Sequence, residues 1–143
     1  MKKYLLLIIF CTAGNFIMAS PKSNLFTKTT ASDPVKKIVK AIAKSNVYDL
    51  SATNNIAPPN SPQNLRYEKL LNIASVEKLT ELATKNKNAV VRLYAYKALI
   101  NKIKDIPKEI VDQFNNDTTI INTINGDSAG QVPLNSIAKG FLY

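Results

Sequence analysis

The chain has 143 residues, with 19 Lys+Arg against 10 Asp+Glu and a formal charge of +9. That length holds one ordinary domain and excludes a large multi-domain enzyme. There is no His, no Trp and a single Cys, which excludes Ser-His-Asp and Cys-His catalysis and every imidazole metal site.

Lys2 and Lys3 precede an apolar run from Tyr4 to Gly14, followed by Asn15-Phe16-Ile17-Met18-Ala19-Ser20-Pro21. The run is too short to span a bilayer comfortably and ends in small residues, which is the pattern of a signal peptide over residues 1–19, cut after Ala19. A cut after Ser20 would meet Pro21. Lipidation at Cys11 is not expected, because Phe10 stands where a small residue is needed and the preceding apolar run is short. The exported chain then has no cysteine and no disulfide, in the periplasm or outside the cell. Loss of Lys2 and Lys3 leaves a net charge of +7, seventeen basic side chains against ten acidic. Such a surplus suits an anionic partner. However, Lys, Asn and Ile make up about a third of the chain, and this bias alone gives a wet, Lys-rich surface. No specific nucleic-acid partner is read from it.

Residues 20–32 are polar and without period, and read as a disordered leader. Residues 33–143 read as a single helical domain. Asp33-Pro34 is a helix start, with Asp capping free amides and Pro suited to the first turn. Val35, Ile38, Val39, Ile42 and Ala43 recur at helical spacing, while Lys36, Lys37, Lys40 and Lys44 share the opposite face of this helix, 34–44. Residues 51–64 hold Pro58, Pro59 and Pro62 and read as a linker or long surface loop. Helical spacing resumes at Leu65 with Tyr67, Leu70, Leu71 and Ala74. Ser75 caps a helix carrying Val76, Leu79, Leu82 and Ala83. Lys85-Asn86-Lys87-Asn88 is a polar turn, and a longer helix follows over 89–104. Asp105-Ile106-Pro107 opens another helix with Ile110, Val111 and Phe114 inward. Thr118–Ile124, β-branched almost throughout, predicts a short strand or a poor helix. Gly126, Gly130 and Gly140 lie beyond it, and the tail is expected to be irregular, docked through Phe141 and Leu142.

In the helix from Ala89, Lys97, Asn101 and Lys104 fall in a narrow arc, and apolar residues take up most of the remaining circumference. Such a helix has to be covered on more than one side. Arg92 falls inside the apolar arc, where a charge is costly unless paired. Two helices, a short turn and the run Val91-Arg92-Leu93-Tyr94-Ala95-Tyr96-Lys97-Ala98-Leu99 together resemble a HEAT repeat, best over residues 76–104. The resemblance implies a short α-solenoid, with an antiparallel helix pair, Ala95 and Ala98 allowing close approach, and Arg92 as a structural ladder residue. HEAT repeats often carry Asp in the turn, whereas this chain has only Lys and Asn there, which leaves Asp112 and Asp117 as candidate partners. The pattern also resembles small exported HEAT-like proteins of bacteria, a kinship that brings no activity with it.

Gly126-Asp127-Ser128-Ala129-Gly130 matches the G-x-S-x-G segment of lipases and esterases, behind a strand-like run. That chemistry needs a base for the Ser128 proton and a strand-to-helix turn. No His exists, Pro133 follows closely, and nothing in the spacing supports Lys139 as a base. The segment therefore reads as a Gly-rich turn. Glu77 and Glu81 share a helix face, with Glu81 placed to pair with Lys85, and read as a solvated face. Asp112 and Asp117 with Asn115 and Asn116 could ligate a hard cation, but the spacing is not that of an EF-hand.

These readings predict an all-α domain, a short HEAT-like stack, with no catalytic, cofactor or metal residues. The function expected is a non-enzymatic protein-binding or scaffolding module with another envelope or extracellular protein as partner, a step that rests on fold-level analogy. The alternative is a membrane-surface or anionic-ligand binder acting through Lys36, Lys37, Lys40 and Lys44.

Overall fold

The computed structural model describes residues 33–51 and 61–142. The expected signal peptide, the leader 20–32 and most of the 51–64 stretch lie outside these residues. In chain order the elements are α1 (Pro34–Ser45), β1 (Val47–Asp49), α2 (Pro62–Ile73), α3 (Val76–Lys85), α4 (Ala89–Lys102), α5 (Lys108–Asn116), β2 (Ile120–Asn125), β3 (Ser128–Pro133) and α6 (Leu134–Lys139).

Four of the helices begin on a side chain that accepts from the first turn. Asp33 takes the Val35 amide at 3.0 Å and Ser61 takes that of Asn64 at 3.1 Å. Ser75 takes the Lys78 amide at 3.2 Å and Asn88 that of Val91 at 3.0 Å. Each satisfies one of the amides that a helix start leaves free. Pro34 and Pro62 occupy the first turns of α1 and α2, where a missing N–H costs nothing. For that reason α2 begins at Pro62, three residues before its apolar spacing starts. Asn46, in the left-handed region at φ 49°, ends α1 and turns the chain directly into β1.

The all-α expectation is corrected by a three-stranded mixed sheet of order β1-β2-β3. β1 runs parallel to β2, with Val47, Tyr48 and Asp49 beside Asn122, Thr123 and Ile124. β3 runs antiparallel to β2, from Asn125 beside Ser128 to Ile120 beside Pro133. The tail expected to be irregular is thus a β-hairpin followed by α6. Its two-residue loop has Gly126 at φ +59° and no positive φ at Asp127, the pattern of a type II′ turn. Gly130 faces Thr123 across the pair, where a Cβ would come within 3.3 Å of the Thr123 hydroxyl oxygen. The β-branched run makes a strand because both of its edges find partners.

α4 is the centre of the molecule. Val90, Val91, Leu93, Tyr94, Ala95, Tyr96, Ala98 and Leu99 are all buried, and α1, α2, α3, α6 and β1 pack on it. α3 and α4 are joined by the short turn 86–88 and lie against each other along their length. On other sides of α4, Tyr94 meets Tyr48 at 4.7 Å and Tyr67 at 5.9 Å between ring centroids. Tyr96 stacks on Phe114 of α5 at 3.9 Å, nearly parallel. Among the described residues the buried Tyr96 hydroxyl has no hydrogen-bond partner, and burial raises its pKa. A buried polar group in that state costs more than it contributes. Tyr96→Phe, which keeps the stack, should therefore raise stability by about 1 kcal/mol in urea unfolding. A loss of stability would show that the hydroxyl is hydrogen-bonded.

Candidate functional site

The four lysines singled out in the sequence share the outer side of α1. Lys36, Lys37, Lys40 and Lys44 are all exposed, while Val35 and Ile42 on the other side are buried in the core. None of the four forms an ion pair among the described residues. The carboxylate of Glu81 on α3 does feel Lys36, but it is engaged by Lys78 at 2.8 Å. This pairing replaces the expected one with Lys85: Lys78 donates the hydrogen bond that lowers the Glu81 pKa most, and Lys85 acts only through its charge. Lys36, Lys40 and Lys44 follow at every fourth position, about 6 Å apart along the axis. The result is a row of exposed cations, none in an ion pair among the described residues, on a rigid support.

The apolar stripe of α1 is committed to the core, so the helix has no free face to insert into lipid. Beside it, α2 packs on α1 and exposes Leu65 (44%) and Ile73 (47%). These two, with Lys69 between them, occupy one stripe of α2 at helical spacing. Sequence reading placed Tyr67, Leu70, Leu71 and Ala74 on one side of α2 and did not single out Leu65 and Ile73 as exposed. The signal lay in the helix itself, which is apolar on more sides than its neighbours cover.

Arg92 extends from the first turn of α4 and is placed among backbone carbonyls and one carboxylate. Its guanidinium donates to Asp117 Oδ2 at 2.6 Å, to the Asn86 carbonyl at 3.2 Å and to the Lys87 carbonyl at 3.4 Å. Both side chains of the pair are 15% exposed. Of the two acids considered as its partner, Asp112 instead pairs with Lys108 on the surface of α5. Asp117 Oδ1 also accepts from the Thr119 amide at 3.0 Å. Burial by itself would raise the Asp117 pKa, but hydrogen bonds from Thr119 and Arg92 hold it below the ordinary value. The arrangement fastens the α3–α4 turn to the α5–β2 junction through both terminal guanidinium nitrogens. Ala95 and Ala98 are completely buried in α4, small enough to let its neighbours come close.

A second polar cluster was not anticipated. Asp49, at the end of β1, is buried (1% exposed). Its carboxylate accepts from the Ser51 amide and hydroxyl and from the Ser61 hydroxyl. Its own N–H donates to the Tyr94 hydroxyl at 2.9 Å. Ser61 is also the cap of α2, so the carboxylate lies behind a helix N-terminus, where negative charge is favoured. Gln63, buried in the same helix, donates to the Val47 carbonyl and accepts from Arg66 at 2.6 Å. Burial pushes the Tyr94 phenol up. Burial, then the neighbouring Glu68, pushes Tyr67 up to about 12. The Lys97 ammonium lies 4.7 Å over the Tyr67 ring, its pKa lowered by burial. The Ser51 and Ser61 hydroxyls are both spent on the Asp49 carboxylate, so this cluster is a clasp between β1, α2 and α4 and not a set of free nucleophiles.

Ser128 sits at the exposed start of β3, beside Asn125 in the hairpin. The G-x-S-x-G segment is thus the turn and first half of a hairpin strand, with no strand-to-helix elbow. Among the described residues no three His, Cys, Asp or Glu side chains gather as a metal site. No family model, no curated protein and no solved structure matches the chain.

The Arg92–Asp117 pair sets a pH dependence. Because folding lowers the Asp117 pKa, its contribution is complete above the ordinary value of 3.8 and is lost as pH falls from there through the folded value. Arg92→Ala should cost about 2 kcal/mol at pH 7, since it strands a mostly buried carboxylate. Asp117→Asn should flatten the acid limb of a stability-against-pH curve measured by urea unfolding. An Arg92→Ala variant that melts with the parent would place the pair outside the stabilising contacts.

Proposed function

We propose that this chain is an exported, non-enzymatic binding module in which a HEAT-like α3–α4 pair supports a cationic docking face on α1. Its partner is a protein with an acidic surface, in the periplasm or outside the cell. The observation that carries this reading is the row of exposed lysines on α1, none in an ion pair among the described residues. Neighbouring Leu65 and Ile73 favour a protein over a lipid surface. Protein interfaces combine an apolar centre with a polar rim, whereas a helix lying on a membrane needs a free apolar stripe. The HEAT-like element of the proposal draws support from the close α3–α4 packing, from buried Ala95 and Ala98, and from the bonding of Arg92 across to Asp117.

Capture from envelope extract, with the purified chain as bait, tests the proposal. One protein retained in stoichiometric amount is expected. Lys36, Lys37, Lys40 and Lys44 all changed to Gln should weaken its capture at least tenfold, and salt should weaken it progressively. Equal capture by parent and variant would remove α1 from the interface. Salt-sensitive binding of both to anionic vesicles, with no protein retained, would move the reading to a headgroup surface. The non-enzymatic part has its own check. A fluorophosphonate probe should leave the protein unlabelled, and labelling abolished by Ser128→Ala would establish a serine nucleophile.

A further inference from the structure

The two edges of the sheet are treated differently. The β1 edge is covered by α2, where Gln63 donates to the Val47 carbonyl. The β3 edge is bare among the described residues. In a two-residue hairpin closed at Asn125 and Ser128, alternate pairs exchange hydrogen bonds. Ser128, Gly130 and Val132 therefore bond to β2, and the N–H and C=O groups of Ala129 and Gln131 point outward. Pro133 closes the edge, because it has no N–H and its carbonyl accepts from the Ser136 hydroxyl at 2.7 Å. Proteins protect such an edge with charges, most often Lys, with bulges or with prolines inside it. This chain has 19 Lys+Arg and places no charge anywhere on β3 (Ser128–Pro133).

We infer that β3 pairs with β3 of a second copy of this chain, antiparallel about a two-fold axis at Gly130. In that register Ala129 lies opposite Gln131 of the second copy and Gln131 opposite its Ala129. Four N–H to C=O bonds form, and they use every outward donor and acceptor that Ala129 and Gln131 offer. At the axis two Gly130 residues meet, where no side chains crowd the approach. Pro133, unable to donate, falls opposite Asp127 in the turn, where the ladder has already ended. Gln131 is held for the purpose by the Asn122 side chain, to which it donates at 2.9 Å.

The charge of the chain also favours this occupant at this edge. α1 leads into β1, the strand farthest from the seam. In the six-stranded sheet the two β1 strands stand about 24 Å apart at 4.8 Å per strand, several times the screening length of about 8 Å at physiological salt. Two cationic chains therefore join at a neutral seam, with the β1 strands that follow the lysine-bearing helices at the two outer edges of the sheet. The dimer would present the α1 face twice, but the seam does not depend on what that face binds.

Sedimentation velocity of the purified chain from 10 to 500 µM is the test, with amide hydrogen exchange at both ends of that range. A concentration-dependent dimer is expected, in which the Ala129 and Gln131 amides gain protection at high concentration. The Ser128, Gly130 and Val132 amides should be protected throughout. Gln131→Pro removes one outward N–H per copy and should weaken the dimer at least tenfold. Ala129→Lys, which leaves the β2–β3 ladder intact, should do the same, with a circular-dichroism spectrum and melting temperature like the parent's. A chain that stays monomeric to 500 µM would overturn the proposal. So would a dimer indifferent to both substitutions, or one in which Ala129 and Gln131 exchange as freely as in the monomer.

Discussion

The structure depends on one demand, that a helix apolar around most of its circumference be kept from water. Eight of the fourteen residues of α4 are buried. No single neighbour could cover them, because two packed helices hide only one stripe of each. The chain answers with a ring of cover. α3 lies along one side, α1 and α2 on others, and α5, α6 and the sheet close the remainder. The small sheet is a consequence of this demand. Tyr48 of β1 packs on Tyr94, and the hairpin brings α6 and Phe141 to the same end of the core.

The placement of the carboxylates follows from the same architecture and shapes the outer surface. Asp33 caps α1, Asp49 holds β1 to the start of α2, and Asp117 anchors Arg92. Glu81 and Asp112 are taken up by lysines on their own helices. Half of the ten acids are engaged in caps, clasps and local pairs, and among the described residues none of the ten forms an ion pair with the α1 lysines. The cationic row on α1 stands where no acid is placed to pair with it. A cationic face of this kind can therefore arise from how the fold distributes its charges, without any reactive group.

How much was legible in the sequence depended on the distance over which each element is determined. α1, α3 and α4 were readable because a capping residue and a 3.6-residue period lie within the same dozen residues. The start of α2 was less so. Ser61-Pro62 is a good cap and first turn, but three prolines and a run of Asn around it give the composition of a loop. β1 has three residues and no period, and its partner strand lies at Ile120–Asn125, so nothing local announces it. β3 has poor strand-forming residues in Ser128, Ala129 and Gly130 and is a strand only because the II′ turn at Gly126 lays it along β2. Arg92 was conspicuous as a charge in an apolar arc, and two acids remained open as its partner because the choice rests on where α5 ends. Asp49 could not be singled out. Its two hydroxyl donors are ten residues apart, within a stretch that has no pattern of its own.

The parallel pairing of β1 with β2 also sets an order of events during synthesis. Val47 meets Asn122, a partner made some seventy-five residues later. At roughly 5–20 residues per second, β1 waits about 4–15 s for the strand beside it. The helices from α1 to α4 can gather in that interval, since their contacts are close in sequence and loop closure between them is cheap. The sheet comes last, and with it the hairpin, α6 and the final cover of α4. A chain shortened by its last two dozen residues would keep its capped helices yet lose β2, the strand that pairs with β1, and the buried Asp49 would then sit at the edge of an unfinished wall.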